Sequence, residues 1–181
     1  MAAQRLRIRF ERLFRRRPES YRGWFDPAFS RVLAGLGTSY YQGDYPNRAI
    51  HTDLFSPIAT DPTWSRLGAS ALYPVLQKQG IRLWRELIQL LQPDIIIASM
   101  RRDGISQLGL SLDSGTQTLD LSGANGRTKT ACFQTYRLST GKKGLLLSGC
   151  AGRKPMNAVG PDERQKVGEA LGVAWNQLTI S

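Results

Sequence analysis

A chain of 181 residues with 41% hydrophobic and 22% charged residues has the composition of a globular domain, long enough to bury a core without disulfide or metal staples. Lys and Arg number 25 against 14 Asp and Glu, and the net charge of +11 favours polyanionic partners, either nucleic acid or anionic lipid. Two cysteines and one histidine are too few for a four-cysteine iron–sulfur cluster or a common zinc site, and no apolar run reaches the ~20 residues of a membrane-spanning helix.

Residues 1–22 hold Arg5, Arg7, Arg9, Arg12, Arg15, Arg16, Arg17 and Arg22. Leu6, Phe10, Leu13 and Phe14 fall at helical spacing, although Arg5 to Phe10 also alternates as a strand would. The segment is read as a basic arm ahead of a single α/β domain spanning 23–181. It suits phosphates, a membrane surface or a protein partner, and its ordinary reading is a solvated terminal helix. The start lacks the apolar core of a secretory signal, so the expected location is intracellular, cytoplasmic or nucleoid-associated. An organellar transit peptide is the other reading of an Arg-rich start, against which Glu11 and the scarcity of Ser count.

Phe29, Val32, Leu33 and Leu36 predict a short helix stopped at Gly37. The aromatic loop Tyr40 to Pro46 follows. Over 48–55, RAIHTDLF alternates Ile50, Thr52 and Leu54 against Ala49, His51, Asp53 and Phe55, which predicts a strand with polar groups on one face. Two prolines then mark 56–64 as a loop, and Thr63 or Ser65 can cap a short following helix. In GIRLWRELIQLLQPDIIIASM, from Gly80 to Met100, Ile81, Trp84, Leu87, Ile88 and Leu91 form the apolar stripe of a helix. Pro93 ends it and pushes Gln92 toward an extended conformation. Ile95 to Ala98 have no alternation and predict a strand inside a parallel sheet covered by helices.

Ile105, Leu108 and Leu112 predict a short helix and then loop. Leu119 and Leu121 face Ala131, Phe133 and Thr135 across Ala124-Asn125-Gly126-Arg127, where Asn-Gly signals a β-hairpin. Leu145 to Leu147 make a second buried strand, which runs into the loop 148–157. Pro161 opens a closing helix with Val167, Ala170, Leu171, Ala174 and Leu178 on one face.

Three loops, 56–64, 99–104 and 148–157, thus each follow a predicted strand. Ligands of open α/β sheets bind beyond the carboxyl ends of strands, so neighbouring parallel strands would gather these loops at one edge. Arg101, Arg102, Arg153 and Lys154 would make that edge attractive to phosphate, with Ser99 and Asn157 as polar contacts. Each charge is equally an ordinary surface group when taken alone.

HTDLFSPIATDPTW, then LWRELIQLLQPDIIIAS, then LLLSGCAGRKPMNAVGPDERQKVGEAL, taken in that order, resemble the uracil-DNA glycosylase superfamily over residues 48–175. The resemblance is most specific at Leu91 to Ile97. It implies a three-layer α/β/α sandwich with a mainly parallel central sheet, here carrying a β-hairpin insertion. It also implies DNA as partner and hydrolysis of the N-glycosidic bond of a flipped base, with no cofactor and no metal. Asp53 and Asp61 are the candidates for positioning water, and Trp64 for stacking on a base. Their ordinary readings are an ion pair for Asp53, a turn before Pro62 for Asp61 and a core anchor for Trp64. His51 is read as a structural hydrogen-bonding group.

Two departures matter. The family's opening apolar strand and water-positioning loop have no counterpart before Tyr45, and the late loop reads Ser148-Gly149-Cys150-Ala151-Gly152 where an imidazole is usual. A noncatalytic DNA-binding or complex-assembly module of the same fold is therefore the second expectation. A peripheral membrane protein held by residues 1–22 is the third.

Overall fold

The computed structural model describes residues 26–40, 43–54, 70–100, 102–122, 126–151 and 156–180. The basic arm of 1–22, the loop 56–64 with Asp61 and Trp64, and Arg101, Arg153 and Lys154 lie outside them. The protein is mixed α/β, and the described residues fall into two compact units. One is drawn from Met1–Ile50, Leu119–Ala131 and Cys150–Ser181, the other from His51–Thr118 and Cys132–Gly149.

In the first unit, α1 (Asp26–Gly35) packs against α4 (Pro161–Ile180), a later helix of the chain. Ala28, Phe29, Val32 and Leu33 of α1 are buried, as are Val167, Gly168, Leu171 and Ala174 of α4. Small residues let the backbones approach: a Cβ on Gly168 would lie 2.1 Å from the Val32 carbonyl oxygen, and one on Gly35 2.3 Å from that of Gln165. The predicted stop of α1 is found. Gly37 takes φ +65°, its N–H donates to the Ala34 carbonyl at 2.9 Å, and the Thr38 N–H reaches back to Leu33 at 2.9 Å. Pro161 is the first residue of α4, followed by Asp162 and Glu163, whose charges suit the positive helix end.

The second unit is built on α2 (Leu72–Leu91), which begins well before the predicted stretch because Pro74 falls in its first turn, where a missing N–H costs nothing. It buries Gly80, Trp84 and Ile88. Gln92 is not extended as expected. It sits at φ 47° and ψ 56°, a left-handed cap whose N–H donates to the Ile88 carbonyl at 2.9 Å.

After Pro93 comes β1 (Ile95–Ile97), then the short helix α3 (Arg102–Ile105), a 3₁₀ turn (Ser106–Leu108), β2 (Ser111–Ser122), β3 (Thr128–Arg137) and β4 (Lys143–Ser148). The sheet has four strands in the order β1-β4-β3-β2. The β2–β3 pair is the predicted hairpin, and Leu112 belongs to its first strand rather than to a loop. β1 runs parallel to β4, with Ile96 opposite Leu146, whereas β3 runs antiparallel to β4, with Tyr136 opposite Gly144. Among the described residues the sheet is therefore mixed, and β1, expected in its interior, forms an edge with its three isoleucines half-buried.

The expected strand over 48–55 is not formed in its described part, 48–54. Its alternation is nevertheless kept at the end: Leu54 is 5% exposed and Thr52 half-buried, while His51 and Asp53 face water. The pattern reflects a strap laid on α2, where burial on one side gives period two without a strand ladder. Cys132 and Cys150 form no disulfide. No helix among the described residues is long and apolar enough to cross a membrane.

Candidate nucleic-acid interface

The site begins with how the strap is held. Trp84 Nε1 donates to Thr52 Oγ1 at 3.1 Å, and Leu54 enters the same buried cluster as Trp84, Ile88, Ala98, Leu108, Tyr136, Leu138 and Leu146. Because Thr52 and Leu54 turn inward, their neighbours His51 and Asp53 turn outward. The His51 imidazole ionises below its ordinary value because partial withdrawal from water disfavours the cation, while the Asp53 carboxylate opposes that shift. His51 and Asp53 thus act on each other electrostatically at the surface.

The entrance to β1 is fixed from several sides. Tyr136, fully buried, donates its hydroxyl to the Pro93 carbonyl, and burial together with the charge of Asp94 pushes that phenol well above its usual range. Its ring lies over Gly144, where a Cβ would come within 2.4 Å of it. Lys142 Nζ contacts Asp94 Oδ1 at 2.6 Å, the Leu145 N–H donates to the Asp94 carbonyl at 2.9 Å, and Ser139 Oγ donates to Gln89 Oε1 at 2.7 Å. At the other end the Ala98 N–H donates to the Leu147 carbonyl at 2.9 Å. With β1 pinned in this register, the chain leaves β1 and β4 at the same sheet edge.

Ser99 and Ser148, both half-buried, are the first polar side chains there. Met100 packs back on the core, and Arg102 is the first residue of α3. Gly149 turns at φ +89° and Cys150 is buried, so the late loop starts with a thiol facing inward. Asn157 is exposed and belongs to the first unit.

Of the predicted site residues, then, Asp53 and Ser99 lie in one unit and flank one core through Leu54 and Ala98. No family model, curated protein or solved structure matches the chain.

Sequence reasoning missed the side chains that position this edge. Arg85 donates from Nη2 to the Gln107 carbonyl at 2.9 Å, and its guanidinium lies against Gly109, at φ +68°, holding the chain as it returns from α3 toward β2. A wet-face arginine on a helix carries no pattern that reveals such a contact. The Tyr136–Gly144 pair has a weak signal, a large aromatic placed opposite a glycine in a hairpin register. Among the described residues no group of three or more His, Cys, Asp and Glu side chains could hold a metal ion.

Proposed function

We propose that this intracellular protein binds DNA with a fold like that of uracil-DNA glycosylases, a three-layer α/β/α sandwich whose full sheet is mainly parallel. In this reading its site serves hydrolysis of the N-glycosidic bond of a flipped base. The observation that carries the reading is the parallel β1–β4 pair, in register from Ile95–Leu145 to Ile97–Leu147, whose two carboxyl ends lie side by side. Arg101 and Arg102 follow one strand in sequence, Arg153 and Lys154 the other, and the net charge of +11 supplies the attraction to phosphate.

In the reaction, water adds to the sugar C1′ as the bond from C1′ to the base nitrogen breaks. Asp53 or Asp61 takes the water proton, and the base leaves with the bonding electrons. The second reading, a noncatalytic DNA-binding module, is favoured by the late loop. Its Ser148-Gly149-Cys150 has no imidazole to stabilise a departing base, since the one histidine of the chain is His51.

A single-turnover assay on uracil-containing single- and double-stranded DNA, with binding to unmodified DNA followed across salt, separates the two. Abasic sites formed by the native chain and lost in Asp53→Asn or Asp61→Asn establish the glycosylase and name its water-positioning acid. Salt-sensitive binding without cleavage establishes the module, and absence of both removes DNA as the ligand. If phosphate is held at the edge, Arg153→Ala with Lys154→Ala lowers affinity and flattens the salt dependence.

A further inference from the structure

The helix α2 carries two apolar faces, of which the core uses one. Gly80, Trp84 and Ile88 are buried. Leu72, Val75, Leu83 and Leu90 are 62%, 52%, 44% and 80% exposed. At 100° per residue these four fall within a sector of about 80°, turned away from the buried line and running along most of a helix about 30 Å long. Four large aliphatic side chains in one row are more than the scattered exposed leucine of an ordinary surface.

The next sector of the same helix, on the water side, holds Lys78 and Arg82, with Arg85 beyond them turned to the Gln107 carbonyl. Glu86 is the acid on α2, and its carboxylate lies 3.6 Å from Arg82, which offsets its charge. An aliphatic row beside a cationic rim is the arrangement by which helices lie in the interface of an anionic bilayer, with the row among acyl chains and the cations among headgroup phosphates. Gln79 and Glu86 interrupt the row and keep the contact shallow.

The row offers a nucleic acid no aromatic face, and its four aliphatic side chains have no hydrogen-bonding group for bases. A second copy would bring together two chains of net charge +11, each with the same cationic rim. We propose that α2 is a membrane-surface contact for anionic lipid, separate from the sheet edge assigned to DNA.

The test is flotation of the full chain with phosphatidylcholine vesicles and with vesicles part of whose lipid is phosphatidylserine. Leu83→Gln with Leu90→Gln, and Lys78→Gln with Arg82→Gln, are compared after circular dichroism has shown each variant folded. The proposal expects binding to the anionic vesicles alone, reduced about tenfold or more in either double variant. Absence of vesicle binding, or binding through the basic arm that both variants retain in full, overturns it. Analytical ultracentrifugation is run in parallel: a dimer that Leu83→Gln with Leu90→Gln dissolves would overturn it in favour of a second copy. Should either double variant misfold, the single Leu90→Gln change at the most exposed position carries the same comparison.

Discussion

His51 reports on the strap residue by residue, because it is the one imidazole in the chain. Its proton should come off below the ordinary value of 6.5, and Asp53→Asn should lower the value further by removing the charge that favours the cation. Proton NMR across pH reads this from a single ring without assignment; a rise on Asp53→Asn would show that the two groups do not face each other as described. The sign for stability follows. The unfolded chain takes up the proton first, so stability is full above about pH 6.5 and falls as the pH drops below it. None of this was legible in the alternation of RAIHTDLF, which placed His51 and Asp53 on one face correctly but gave no partner for the other. That partner is Trp84, more than thirty residues away in sequence.

At the scale of elements, the α1–α4 pair depends on two glycines, Gly35 closing α1 and Gly168 inside α4, where propensity disfavours it. Gly168→Ala should cost about 2 kcal/mol or more, because its Cβ would overlap the Val32 carbonyl and both backbones would have to part. Gly172→Ala is the control. There a Cβ would meet nothing nearer than Leu36 Cδ2 at 3.8 Å, so the change should be neutral or gain up to about 1 kcal/mol of helix propensity. Urea denaturation of the two variants against the native chain checks the contrast, and equal effects would remove the close approach.

The elements themselves were largely legible. Period 3.6 found the core-facing stripes of α2 and α4, Asn-Gly found the hairpin, and the two all-apolar runs found β1 and β4. Boundaries failed where local rules met tertiary packing. Leu72 to Gln79 did not read as helix, since Pro74 and an exposed aliphatic row both obscure the buried face. Gln92 is held left-handed by its bond to Ile88 against the preference that Pro93 imposes on its neighbour.

At the scale of the molecule, charge is unevenly placed along the chain. Residues 1–22 hold eight arginines and two glutamates, so +6 of the total +11 belongs to the arm. Deleting 1–22 should therefore weaken DNA binding and reduce its salt slope more than replacing Arg153 and Lys154 does, while leaving any edge-bound remainder measurable. Fluorescence anisotropy across a salt series decides this; an unchanged slope would place the phosphate contacts elsewhere. The candidate edge was legible only as chain order, strand followed by polar loop. Its strand pairing was not, because which strands neighbour one another is a long-range property that periodicity does not encode.

The α1–α4 pair also sets a timetable for biosynthesis. α1, with its buried Phe29 and Val32, is translated well before α4, the helix it packs against. Until α4 has been made, that apolar face lacks its native cover, and the 125 residues between the two helices, 36–160, must be closed into a loop. Nascent chains arrested before Pro161 should accordingly offer α1 to chaperones, and the pair forms only once α4 has left the ribosome.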